Sequence, residues 1–160
     1  MKHTISALVQ NQAGVLSHVA GMFSARGYNI DSLVVGRTDD PRFSRMTIVV
    51  VGDNDVLEQV RKQLAKIVPV VKIFDYTNEK LVQRDLMLIK VASTPEQRPE
   101  IMAMVEMFSA KVVDIGLKFV TIEVTGPEEK IEAFIEICRP YGIKDVARTG
   151  MLALPRHAKA

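Results

Sequence analysis

The sequence predicts an α+β protein built of two βαββαβ units in tandem, and three observations carry that reading. Short β-branched runs alternate with segments whose apolar residues recur at helical spacing. Glycine, proline or aspartate punctuates the joins, and a polar connector at Thr77-Asn78-Glu79-Lys80 divides two passes of the same order.

Thr4 to Gln10 reads as the first strand, ending at Asn11-Gln12-Ala13-Gly14. Val15, Leu16, Val19, Ala20, Met22 and Phe23 then recur at helical spacing until Arg26-Gly27 stops the helix. Tyr28 to Arg37 is the second strand, Asp39-Asp40-Pro41 a turn, and Met46 to Val51 a β-branched central strand. Asp53 is placed as the N-cap of a helix with a stripe of Val56, Leu57, Val60, Leu64 and Ile67. Pro69 ends that helix, and Val70 to Tyr76 closes the unit as a strand.

The second pass reads Gln83 to Ala92 as a strand and Pro95 to Phe108 as a helix, with Ile101, Met104, Val105 and Phe108 inward. Val112 to Ile115 and Lys118 to Thr125 are strands on either side of Gly116. Gly126-Pro127 opens a helix with the stripe Ile131, Phe134, Ile135 and Cys138, and Ile143 to Thr149 is the last strand. The order β-α-β-β-α-β is the ferredoxin-like split βαβ arrangement. Residue identities do not repeat, so only the architecture is duplicated. The expected domains are 1–77 and 82–160.

Two helices cover one face of each four-stranded sheet, yet Val49, Val51, Leu86 and Leu88 leave the strands apolar on the other face as well. A symmetric dimer joining sheets edge to edge, or stacking them, answers this need economically. With 160 residues, 48% of them hydrophobic, the chain can bury one ordinary core or two small ones.

Composition narrows the function classes. The 21 basic and 19 acidic residues are spread along the chain, without the footprint of a nucleic-acid or membrane binder. One cysteine forms no internal disulfide, the first residues lack a secretory signal, and no apolar run is of membrane length. A cytoplasmic protein is expected.

Catalytic chemistry is poorly represented. His3, His18 and His157 have no partners at metal-ligand spacing, and Cys138 falls on an apolar helical stripe with no second cysteine. Met102, Met104 and Met107 read as core filling, and Glu128-Glu129 as compensation of a helix dipole. No glycine-rich nucleotide loop occurs. No catalytic residue and no metal ligand is therefore assigned.

The turn from Asn11 to Leu16 is the exception. A helix start leaves amide N–H groups free, and a glycine there lets a ligand approach the backbone. Such a place suits a carboxylate, although a plain capped helix start reads equally well from the local physics. Asn29 and Ile30 open the next strand just after Gly27 and are expected nearby, offering carbonyls and an amide for an ammonium group. Val15, Leu16 and Ile30 would form the apolar wall.

Asn11-Gln12-Ala13-Gly14-Val15-Leu16-Ser17, Phe23-Ser24-Ala25-Arg26-Gly27-Tyr28-Asn29-Ile30-Asp31-Ser32-Leu33, Thr38-Asp39-Asp40 and Ser44-Arg45-Met46-Thr47 together resemble the small regulatory subunit of acetolactate synthase, also called acetohydroxyacid synthase. The resemblance covers essentially the whole chain, and the first unit looks like an ACT domain. It implies a non-catalytic homodimer that activates a thiamine-diphosphate-dependent large subunit and confers feedback inhibition by valine, or a related branched-chain amino acid. No cofactor of its own is implied; thiamine diphosphate, Mg and FAD would belong to the catalytic partner. The effector would lie between two ACT domains, held by Asn11, Gly14, Val15 and Leu16 of one chain and Asn29 and Ile30 of the other. Ala92-Ser93-Thr94-Pro95-Glu96 lacks the Asn-x-x-Gly pattern, so no second effector is expected there. The alternative is an amino-acid-sensing regulator of another enzyme or of transcription, although no helix-turn-helix or basic recognition surface is evident.

Overall fold

Backbone pairing in the computed structural model, which describes residues 1–157, gives two mixed α and β units. In the first, β1 (Lys2–Gln10) leads through α1 (Val15–Ala25) to β2 (Asn29–Arg37). There follow β3 (Phe43–Val51), α2 (Asn54–Ala65) and β4 (Val70–Asp75). The sheet order is β2-β3-β1-β4, with β2 and β4 at the edges, and each pair of neighbours is antiparallel. This is the expected ferredoxin-like order.

Alternation along the strands decides which residues meet the helices. Ile5, Ala7 and Val9 of β1 and Met46, Ile48 and Val50 of β3 are almost wholly buried and pack with Val15, Val19 and Phe23 of α1 and Leu57, Val60 and Leu64 of α2. Burial of a side chain the size of Phe23 contributes about 2–3 kcal/mol before ordering costs. The α2 start is fixed as the sequence implies: the Asp53 carboxylate accepts the Val56 N–H at 2.9 Å.

The second unit repeats the order with β5 (Leu81–Ala92), α3 (Arg98–Met107), β6 (Lys111–Ile115), β7 (Phe119–Gly126), α4 (Glu128–Cys138) and β8 (Ile143–Arg148). Its strands run β6-β7-β5-β8. Met87, Ile89, Val91, Val120, Ile122 and Val124 form the sheet side of a core closed by Ile101, Ile131, Phe134 and Cys138. The rings of Phe108 and Phe134 meet edge to face at 5.1 Å. Helix α3 starts three residues later than the periodicity implies, because Pro95 to Gln97 make a turn in which the Thr94 N–H reaches the Gln97 side-chain oxygen at 3.2 Å.

One strand among the described residues has no counterpart in the sequence reading. Leu152–Pro155 forms β9, which pairs with β5. Among the described residues the chain divides into one compact unit of Met1–Val82 together with residues 151–157, and another of Gln83–Gly150. The compact units thus group residues 151–157 with the first unit, where the sequence reading expects domains 1–77 and 82–160. The Met151 N–H donates to Ser32 Oγ at 2.8 Å, the Arg156 N–H donates to the Lys80 carbonyl at 2.7 Å, and Met151 and Ala153 are buried. Residues 158–160 of that expected domain lie outside the described residues.

The second faces of the two sheets differ. Val49 is buried, whereas Leu86 and Leu88 are 36% and 40% exposed.

Candidate functional site

The turn after β1 is built by hydrogen bonds to the β2–β3 connection. The Asn11 N–H donates to the Arg42 carbonyl at 2.7 Å, and its side-chain amide donates to the Pro41 carbonyl at 3.0 Å. That connection is itself braced: Asp40 takes Arg42 Nε at 3.0 Å and Nη2 at 2.6 Å. Hydrogen bonding to Arg42 holds the Asp40 carboxyl down at about 2. Sequence reading treated Asp39-Asp40-Pro41 as an ordinary turn. The missed signal was Arg42, placed two residues past Asp40 to close a ring over it.

Gly14 is the N-cap of α1, with φ 85° and ψ −11°. That left-handed conformation is the reason for glycine here. No side chain caps the helix, no acidic residue stands in its first turn, and a Cβ at Gly14 would meet nothing within 4 Å. The first-turn N–H groups thus have no side-chain cap, and the positive end of the helix dipole lies there. The start of α3 is different, being preceded by the Gln97-closed turn and carrying a proline in its first turn.

The candidate residues do not form one cluster within the chain. Val15 is 4% exposed and points into the core beside Val19 and Phe23, so its side chain walls the core while its backbone belongs to the helix start. Leu16 is 46% exposed and stands free beside the turn. Asn29 pairs with Val51, as does Lys2, whereas Gln10 pairs with Phe43 at the far end of the sheet. Asn29 and Ile30 are thus separated from the Asn11 turn by the length of β1, about 26 Å. Strands β1 and β2 run parallel on either side of β3, and α1 carries the chain back along the sheet. The expected proximity of Asn29 to the same chain's helix start is corrected by this topology. Asn29 lies on the edge strand, exposed, next to Asp31, which pairs with Lys2 at 3.0 Å.

Other candidates stay structural. Cys138 is buried, and burial pushes its thiol up to about 11. His3 is buried with Nε2 3.1 Å from the Gly52 carbonyl. His18 lines an open groove of about 400 Å³ between α1 and α2 with Ser17, Met22 and Ile67.

Residues 5–72 match the family described as AHAS small subunit-like ACT domain, and residues 84–157 match that described as small subunit of acetolactate synthase. The chain is 51% identical over 159 residues to a probable acetolactate synthase small subunit of Archaeoglobus fulgidus, covering 99% of each. It is 49% identical over 158 residues to the acetolactate synthase small subunit of Bacillus subtilis, covering 98% of this chain and 91% of that protein. The crystal structure of the acetolactate synthase small subunit from Thermotoga maritima superimposes with a TM-score of 0.91 at 39% identity, covering 99% of both chains. The two βαββαβ units, the uncapped glycine start of α1 and this likeness over the full length place the chain in the acetolactate synthase small-subunit family, with an ACT domain as its first unit.

Proposed function

We propose that this chain is the non-catalytic regulatory subunit of acetolactate synthase, working as a cytoplasmic homodimer that activates the catalytic large subunit and makes it sensitive to valine or a related branched-chain amino acid. Thiamine diphosphate, Mg and FAD belong to the catalytic partner in this reading. The observation that carries it is the start of α1: no side-chain cap, no acidic residue in the first turn, and a left-handed glycine at which a Cβ would meet nothing within 4 Å.

Such a start supplies donors for the effector carboxylate. It supplies little for the ammonium group, and the exposed edge strand β2 points to the remedy. Joining β2 antiparallel to the β2 of a second copy reverses its direction, so that Asn29 and Ile30 of one chain come to the end of the joined sheet that holds Asn11 and Gly14 of the other. The 26 Å separation within one chain then becomes a reason for the dimer. Asn29 offers an amide oxygen, and Leu16 and Ile30 offer apolar surface, for a small aliphatic zwitterion.

Regulation follows from linkage. A ligand held between two chains binds best to one dimer geometry and shifts the population toward it. A catalytic subunit that prefers the other geometry is then less activated, and a coupling of about 1–3 kcal/mol is enough for a 5- to 150-fold response.

Calorimetric titration of the isolated protein with valine, leucine, isoleucine and an unrelated amino acid tests the effector, and reconstitution with the catalytic subunit tests activation. Saturable heat with a branched-chain amino acid and inhibition of the reconstituted enzyme are expected. No heat with any of the four removes the effector assignment.

A further inference from the structure

The face of the first sheet turned away from α1 and α2 carries an arrangement that the effector site does not use. Leu8 of β1 pairs with Arg45 of β3 on one side and Lys72 of β4 on the other, so the three side chains form one row across the sheet. In the next row Ser6 stands between Thr47 and Phe74. Arg45 Nη1 donates to Ser6 Oγ at 2.7 Å and to the Tyr76 hydroxyl at 3.3 Å. Ser6 and Tyr76 are buried, so the guanidinium is oriented by groups fixed in the sheet.

Both cations lie against one ring. The Arg45 guanidinium carbon is 5.2 Å from the centre of Phe74, Lys72 Nζ is 4.9 Å from the same centre, and Tyr76 stacks behind at 6.2 Å. Among the described residues neither Arg45 nor Lys72 has a carboxylate partner. Asp75, next in sequence to Phe74, pairs with Ile5 on the helix-covered face and lies 3.6 Å from Arg61, and Asp40 is taken by Arg42. Two like charges on one ring repel, and the ring quadrupole offsets only part of that repulsion. An anion placed over Leu8 would relieve it.

The surroundings favour a protein carboxylate as that anion. Phosphates are usually held by free backbone N–H groups at helix starts or glycine-rich turns, whereas here the backbone is spent on the β1–β3 and β1–β4 ladders. A sheet face that combines an oriented arginine, aromatic rings and a leucine matches the make-up of protein–protein hot spots.

We propose that Arg45 and Lys72, flanking Leu8 and Phe74, form the docking site for an acidic segment of the catalytic subunit. The assignment rests on the regulatory reading above and gives it a surface separate from the effector turn. Its carboxylates would sit in the row between the two cations, and their loss would slow association as well as weaken it.

The test measures activation of the cognate catalytic subunit as the concentration of small subunit is raised, at low and at high salt. Lys72→Gln, an exposed change that leaves the core untouched, and the double variant Arg45→Gln with Lys72→Gln are compared with wild type. The double variant is expected to need at least about tenfold more protein for half-activation at low salt, with a flatter salt dependence. Valine heat and the melting temperature of Lys72→Gln should match wild type. A double variant with the wild-type half-activation and salt response overturns the site. Saturable binding of inorganic phosphate or pyrophosphate to wild type, lost in the double variant with activation unchanged, overturns the acidic segment in favour of a small anion. Failure of wild type itself to activate removes the regulatory reading, and the docking site with it.

Discussion

Asn11 and Asn29 stand at opposite ends of one sheet: Asn11 continues past the Gln10–Phe43 pair, and Asn29 pairs with Val51 beside Lys2. Residues close in sequence to a shared helix are thus held apart by the helix itself. This separation allows the proposed effector site to report on dimer geometry, since neither half can act alone.

Gly14→Asp is expected to abolish the amino-acid response while sparing activation of the catalytic subunit, because it puts a carboxylate where the effector carboxylate would bind. Gly14→Ala is the control. Its Cβ meets nothing within 4 Å, so it pays only for the backbone angle, about 1–2 kcal/mol, and should keep the response. Activity of the reconstituted enzyme with and without valine checks both.

Asp85 and Glu132 share Arg148 but differ in burial. Asp85 is 2% exposed and takes Arg148 Nε at 2.9 Å and Nη2 at 2.7 Å, while the Glu132 side chain is 50% exposed and takes Nη1 at 2.8 Å. Asp85→Ala should cost about 1.5–3 kcal/mol, since it removes the buried carboxylate that accepts from two Arg148 donors and from Thr149 Oγ1, and Glu132→Ala less than about 1 kcal/mol. Urea unfolding of the two variants measures the contrast.

Cys138 should resist alkylation in the folded protein. Burial raises its thiol from 9.0 to about 11, leaving on the order of one thiolate in a thousand at pH 8. The neutral thiol is favoured in the folded state, so its contribution to stability is complete below pH 9 and is lost as pH rises toward 11. Iodoacetamide labelling in buffer and in denaturant, followed by mass spectrometry, checks the reactivity.

Asp53→Ala should lower stability by about 1 kcal/mol through loss of the bond from the Val56 N–H. Thermal melting with the effector absent reads this change. Valine inhibition should persist, because Asp53 caps α2 and the proposed effector turn opens α1.

The order of elements was legible because Ile5, Ala7 and Val9 alternate and Val56, Val60 and Leu64 recur at helical spacing, each pattern forced by burial on one face. The glycine cap at Gly14 was legible for a different local reason, the left-handed backbone that glycine adopts without strain. Proximity of Asn29 to that cap was misjudged because it depends on strand direction: a strand, a helix and a parallel strand must begin at the same end of the sheet. The Val15 side chain was assigned to a ligand wall although its spacing with Val19 already placed it in the core. β9 escaped notice because Leu152-Ala153-Leu154-Pro155 is too short to show a period and owes its position to Ser32, far away in sequence.

That last contact orders the making of the protein. Ser32 and Met151 are 119 residues apart, and closing so long a loop in an unstructured chain costs about 4 kcal/mol. Folding of Gln83–Gly150 first bonds the Thr149 N–H to the Leu86 carbonyl and takes the stretch between them out of the loop, saving roughly 0.6 kcal/mol. Ribosomal synthesis also delivers Met151 after that whole unit. The part of the molecule made first is therefore completed only once Met151 arrives, and an amino-terminal fragment ending before Met151 would lack the bond to Ser32 Oγ.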